Sequence, residues 1–372
     1  MEFELSEEQV LLRDTVRDVL GRKYGDIENL RAVTDTELGW SRDVWSALAE
    51  IGILGLVFDE ADGGTGAGPE ELAPVMGEFG ATIAPEPFLD AVVVPGLLVT
   101  RTADPETRAE LIGGLSSGER LCAFAHHENG DRWPAFAIAT SFADGRLTGT
   151  KSLVAAGDCA DTLVVSARDE AGQVGLYLVD GTAEGLTRTG YRTHDRRRGA
   201  QIEFDGAPAT RLGSGDATAV IAEVEVLAQT ALCAEAVGAM RASLEMTTGY
   251  LKTRKQFGVP LATFQALTHR AADMYVSLEL ATSLSVYATA ALAEGRVDPV
   301  IASRAKLQIC RSGRHIGQES IQMHGGIGMT AEYPVAHYVS RLTAIGHTLG
   351  DADSHLQRLS ASIGEWDMVT VG

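Results

Sequence analysis

The stretch from about Leu121 to Leu212 constrains this chain more than any other. It is a series of short β-like runs, CAFA, FAIATSF, RLTGTKSLV, DTLVVSA, GLYLVD and QIEFD, separated at short intervals by Gly, Asp and Asn. That texture belongs to an antiparallel sheet or barrel-like domain, not to a parallel sheet. Both flanks carry a different period. Upstream, Ser6-Glu-Glu-Gln9 has the form of a capping box, followed by Val10, Leu11, Val16 and Leu20 at helical spacing. Trp45, Leu48, Ile51 and Leu54 predict a second helix, and residues 70–118 are mostly helical with breaks at Pro85, Pro87 and Pro95. Downstream, Val220, Val224, Leu227, Ala231 and Ala234 open a run of long helices that continues through 266–292 and 301–323. Helices of that length predict an antiparallel bundle. The fold class is therefore α+β: an N-terminal helical domain over 1–119, a middle antiparallel β domain over 120–213, and a C-terminal four-helix bundle over 214–372.

Composition narrows the function. The formal net charge of -20 repels nucleic acid and anionic membranes, so an anionic ligand needs a local basic or helix-N-terminal site. The start, MEFELSEEQVLLRDTV, lacks the basic and apolar regions of a signal peptide, and no apolar run approaches a membrane span. Cys122, Cys159, Cys233 and Cys310 form no C-x-x-C pair, so zinc is not expected and reduced thiols in a cytoplasmic protein are. The glycines of Asp62-Gly-Gly-Thr-Gly-Ala-Gly-Pro69 miss the dinucleotide spacing, and the segment is expected to be a loop between helices.

Two segments carry chemistry. The first is Arg254-Lys-Gln-Phe-Gly-Val-Pro-Leu-Ala-Thr-Phe-Gln265, where a helix breaks at Gly258-Val-Pro260 and another begins near Thr263. A guanidinium fork suits a diphosphate, an aromatic face suits adenine, and a helix corner exposes backbone donors. The second is Gln322-Met-His-Gly-Gly-Ile-Gly328 with Thr330-Ala-Glu-Tyr-Pro334, whose glycines permit close backbone approach. With the helical, β, helical order, these motifs resemble the acyl-CoA dehydrogenase family over essentially the whole chain. The resemblance implies FAD as cofactor. It places Arg254 at the FAD pyrophosphate of a neighbouring subunit, and Gln256, Phe257, Leu261 and Gln265 near the cofactor. It also places Gln322, Met323, Gly325 and Gly326 against the adenosine end, which makes the protein at least a dimer.

Against that family the β domain departs. Ala125-His-His-Glu-Asn-Gly130 and then Asp131-Arg-Trp-Pro134 stand where a Leu-Thr-Glu-Pro-x-Ala-Gly-Ser-Asp-like run is usual, which puts His127 at the flavin-contacting threonine. Leu153-Val154-Ala155 replaces a Trp-Ile-Thr run, so Val154 is the matching flavin neighbour. A carboxylate must sit against the acyl Cα, with dry surroundings raising its pKa. One family position for it is Ala228 here, with Glu225 one turn away. The other lies in His347-Thr-Leu-Gly-Asp-Ala-Asp-Ser-His355. Anchoring on Leu356-Gln-Arg358 puts Asp351 there; anchoring on the Gly-Gly motif puts Leu349 there. Asp351 is the expected catalytic base, with helix capping as its other reading. Asp195-Arg-Arg-Arg198 is expected to be a solvated turn.

The resemblance implies α,β-desaturation of an acyl-CoA or an acyl group on a carrier protein, with an electron-transfer flavoprotein as acceptor. The chain would act as a homo-oligomer or as a heterotetramer with a related subunit. A second reading makes it the non-catalytic partner of such a heteromer. A third makes it a flavin oxidase or N-hydroxylase on the same fold.

Overall fold

A computed structural model describes residues 5–130, 133–134, 137–361 and 363–365, so Asp131 and Arg132 of the departing run lie outside the described residues. Helix α1 (Glu7–Tyr24) opens on the expected box: the Ser6 hydroxyl accepts from the Gln9 amide, and Gln9 Oε1 accepts from the Ser6 amide. Helix α2 (Ile27–Thr34), which apolar spacing did not announce, starts on an Asp26 cap. Helix α3 (Arg42–Glu50) is shorter than its apolar spacing, because the chain turns at Ile51 and Gly52 takes a positive φ. The glycine loop leads into α4 (Pro69–Thr82), which has proline in its first turn. Pro95 does not break the next helix. A wide π-type turn over Leu89–Val93 runs into α5 (Val94–Thr102), with the Val94 amide bonding back to Leu89. Proline lacks the amide that would continue the tighter α ladder there, which lets the turn widen. Helix α6 (Pro105–Ser116) completes the domain.

The β domain contains β1 (Cys122–Ala125), β2 (Ser141–Ala143), β3 (Arg146–Ala155), β4 (Thr162–Arg168), β5 (Val174–Asp180), β6 (Leu186–Arg192), β7 (Arg198–Pro208) and β8 (Thr210–Leu212). They form one sheet in the order β6-β7-β3-β2-β4-β5-β8, with β1 beside β4. Most pairs are antiparallel as expected. The exceptions are β1, which runs parallel to β4 with Cys122 opposite Thr162, and a single parallel pairing of β2 with β4. Leu147, Val154, Val165, Tyr177 and Ile202 form the domain's own core.

Helix α7 (Thr218–Thr253) is 36 residues long and runs through the molecule's centre. With α8 (Gln265–Ala293), α9 (Pro299–His324) and α10 (Val335–His347) it makes the expected bundle, to which α11 (Ala352–Ala361) adds a further helix against α9. Contrary to the expectation from apolar runs, α8 is long and apolar enough to cross a membrane by length and composition. It packs in the bundle against α7 and α9 and leaves Tyr275, Val276 and Leu280 exposed on its outer face.

Two features lock the domains together. Where α4 crosses α7, a Cβ on Gly80 would overlap the Glu235 carbonyl oxygen, and one on Gly238 would overlap that of Gly77. Backbone meets backbone there, and Gly238→Ala is expected to cost about 3 kcal/mol or more in denaturant unfolding, since neither helix has a side chain to swing aside. The second feature is an ion cluster. Arg341 of α10 donates to both oxygens of Glu235 on α7 (2.7 and 2.8 Å) and to Asp195 (2.8 Å); Arg197 donates to Glu235 (2.8 Å) and to the Ala84 carbonyl (2.8 Å). Asp195 is almost fully buried, so the Asp195–Arg198 run is no solvated turn. Burial works to raise the Asp195 pKa, but Arg341 and Arg197 outweigh it and hold it down to about 2.

Candidate functional site

A cavity of roughly 560 Å³ lies between the β domain and the helices. A recess of about 110 Å³ shares its wall at Asp90, His127, Leu153, Ala155, Leu232 and Leu349. Helix α7 turns Glu225, Ala228 and Leu232 toward the recess, one face at three- and four-residue spacing. Strand β3 contributes Leu153 and Ala155 from one face of its pleat, and the loop after α10 contributes Leu349 and Gly350.

The strand alternation corrects one expectation. Val154 points the other way, 1% exposed within the β core, and its side chain does not line the cavity. His127 does line it, and its carbonyl accepts from the Ser152 amide at 2.8 Å. Asp351 is placed as a helix cap. Asp351 accepts from the Ser354 amide (2.8 Å) and hydroxyl (2.7 Å), so it caps α11. Those two bonds hold its pKa below the usual range, the opposite of what a base in a dry site needs. Leu349 and Gly350 face the cavity instead, which is the register set by the Gly-Gly motif. Gly350 has φ +98°, and a Cβ there would come within 2.6 Å of the Trp133 ring.

Glu225 is a carboxylate buried against the recess, and it does not line the larger cavity. Its Oε2 accepts from Trp133 Nε1 at 3.2 Å, and its Oε1 lies 4.0 Å from His126 Nε2. Burial pushes its pKa up to about 7, and the Trp133 bond and Arg358 offset this only in part. His126 is fixed from its other side by the Ser166 hydroxyl at 2.8 Å and stacks on Phe124. Trp133 packs on His355 with ring centroids 4.5 Å apart, beneath the Arg358 guanidinium. Neither His126 nor Trp133 was singled out by sequence as a partner of Glu225, and no sequence signal links positions 92 residues apart.

The two C-terminal motifs form a single corner. Helix α7 ends at Thr253, and a two-strand hairpin, β9 (Lys255–Gln256) and β10 (Val259–Pro260), turns through Phe257 and Gly258 at φ +54° and +85°. Tyr250, one turn before Arg254, packs on His324 (4.6 Å), which packs on Tyr333 (4.8 Å), joining the ends of α7 and α9. Arg254, Gln256, Gln265, Gln322, Gly325 and Gly326 are all exposed there, and Phe257 is 91% exposed. Leu261 is half-buried and Met323 is buried beneath. A Cβ added at Gly325 or Gly326 would meet nothing within 4 Å, so the corner is open to an approaching ligand. Guanidinium, amides and exposed aromatic form a donor set that fits the diphosphate and adenine of FAD. The corner is at the surface, where it can hold a nucleotide whose flavin end reaches another chain. No metal-binding cluster occurs among the described residues.

The acyl-CoA dehydrogenase N-terminal domain family matches residues 6–119, and the acyl-CoA dehydrogenase C-terminal domain family matches residues 226–364. The chain is 28% identical over 349 residues to acyl-CoA dehydrogenase FadE27 of Mycobacterium tuberculosis, covering 91% of this chain and 92% of that one. Among solved structures it resembles a Tcur3481–Tcur3483 steroid ACAD variant (33% identity, 96% of this chain and 98% of that chain, TM-score 0.88). It also resembles the ChsE4–ChsE5 complex from Mycobacterium tuberculosis (26% identity, 99% and 100% coverage, TM-score 0.90). Fold and relatives together make the chain a flavin-dependent oxidoreductase acting on a carbon–carbon bond. The chain belongs to the acyl-CoA dehydrogenase family. These relatives favour the dehydrogenase over the non-catalytic, oxidase and N-hydroxylase readings.

Proposed function

We propose that the chain desaturates a bulky acyl thioester between Cα and Cβ, with Glu225 as the base. The observation that carries this is Glu225 itself, a carboxylate in the recess beside the cavity whose burial raises its pKa to about 7. Near that value a carboxylate is both ionised enough to accept a proton and basic enough to take one from an acidified Cα–H. Trp133 orients it through Oε2, which leaves Oε1 for the substrate. FAD, when bound, supplies the acceptor for the Cβ hydride, and Arg254, Gln256 and the Gly325–Gly326 backbone are the groups that would hold its nucleotide end. Ala155 and Ala228 replace larger side chains with small ones, and the similarity to a steroid dehydrogenase supports a bulky acyl group.

The corner serves a neighbouring chain in this reading. Phe257, Met329 and Ile327 are exposed there, and Tyr275, Val276 and Leu280 on α8 form a second exposed apolar patch. Contiguous apolar surface of this kind marks subunit contacts. A related subunit as partner agrees with the two-protein assemblies named for the similar solved structures, and an electron-transfer flavoprotein is the proposed acceptor. The test is Arg254→Ala: the purified assembly is expected to lose most of its FAD absorbance at an unchanged circular dichroism spectrum. Full retention of FAD would remove Arg254 from the site. A companion variant tests the Asp351 cap. Asp351→Ala is expected to bleach flavin with an acyl-CoA as fast as the parent while losing about 1 kcal/mol of stability, the typical worth of a helix cap.

A further inference from the structure

Asp90 is an acid in the apolar run Phe88-Leu-Asp-Ala-Val-Val-Val94 and lies on the π-type turn, facing both the cavity and its recess. Among the described residues no hydrogen-bond donor is paired with its carboxylate. The nearby guanidinia do not supply one. Arg341 is committed to Glu235 and Asp195, and Arg197 to Glu235 and the Ala84 carbonyl. Burial pushes the Asp90 pKa up, with Arg197 and Arg341 opposing from a distance. Asp90 is half-buried, and its carboxyl opens onto the cavity with no donor among the described residues to meet it; π-type turns recur at functional positions. Neither feature helps the fold, so the polar group faces the cavity for what enters it.

We propose that Asp90 is a specificity-determining residue that receives a hydroxyl group on the ring portion of the acyl substrate. A hydroxyl is the one simple oxygen group that satisfies the acid in either form, since it donates to a carboxylate and accepts from a carboxylic acid. Beside Asp90 the shared wall carries the apolar Leu153, Ala155, Leu232 and Leu349 together with His127 and Thr348, so a ring body packs on the apolar part and its hydroxyl meets Asp90. This rests on the acyl-thioester reading above.

The probes are decahydronaphthyl-propionyl-CoA and its ring-hydroxyl and ring-ketone positional isomers, offered to the FAD-loaded assembly. At least one hydroxyl isomer is expected to bind about tenfold or more tighter than the unsubstituted thioester, the worth of a hydrogen bond to a charged group. Asp90→Leu is expected to erase that preference while leaving flavin bleaching by the unsubstituted thioester in place. Asp90→Asn keeps the shape and is expected to shift the preference toward the ketone, because an amide donates. The proposal is overturned if no hydroxyl isomer gains over the parent thioester, if Asp90→Leu keeps the gain, or if Asp90→Asn stops bleaching by every thioester, which would make Asp90 the base. Bleaching of the wild type by the unsubstituted thioester tests the acyl-thioester reading separately.

Discussion

Glu225→Gln is expected to slow anaerobic flavin bleaching by a saturated acyl-CoA by a factor of roughly 10² to 10⁴, the contribution of a positioned base. Binding should change little, because glutamine keeps an acceptor for Trp133 Nε1. The pH profile supplies a second signature. With the Glu225 pKa near 7, the bleaching rate of the parent should climb between about pH 6 and pH 8, and the residual rate of the variant should be flat there. Stability must move in the opposite sense. The folded pKa stands above the ordinary 4.5, so the proton favours the folded state; that stabilisation is complete at acid pH and is lost as pH rises from about 4.5 through about 7. A rise of this size corresponds to on the order of 3 kcal/mol once the group is fully ionised. Glu225→Gln should therefore gain stability relative to the parent at pH 8 and not at pH 4. An unaltered bleaching rate in this variant would falsify the assignment.

The largest loss of stability is expected from Arg341→Met. Its guanidinium answers Glu235 through two bonds and Asp195 through a third, all well buried. Burial works to lower its pKa, yet the two carboxylates raise it, so both charges depend on it. Removing one partner of such a pair leaves an uncompensated buried charge, which costs about 3–5 kcal/mol. The double variant Arg341→Met with Glu235→Met should recover much of that loss, since two packed apolar groups replace the pair. Urea midpoints of the four proteins in the cycle give the coupling directly, and additive losses would show that the pair is not what joins α10 to α7.

What could be read ahead of the fold was local. The capping box at Ser6, the punctuated strands and the Arg254 and Gln322 motifs each depend on residues close in sequence, where spacing and turn chemistry decide the outcome. The proposed base could not be read this way. Asp351 and Glu225 are both acids near family positions. What separates them is that Ser354 and the start of α11 hold one as a cap, whereas α7 carries the other into a dry wall opposite Trp133. Val154 was misassigned for a parity reason: one step along a strand exchanges cavity for core. The parallel placement of β1 beside β4 was hidden too, because the pairing joins residues about forty positions apart. The partnerless acid at Asp90 did leave a trace, a lone charge in an apolar run, but only the folded cavity gives it meaning.

The glycine crossing of α4 over α7 also bears on how the molecule breathes. Helices that touch through side chains can slip past one another by exchanging rotamers; helices interlocked at the main chain have no such freedom. Entry to the cavity then falls to the β layer or to the loop after α10, while the crossing stays shut. In a hydrogen–deuterium exchange time course, the amides around Gly80 and Gly238 should be among the last to take up label, and fast labelling there would mean that the two helices part after all.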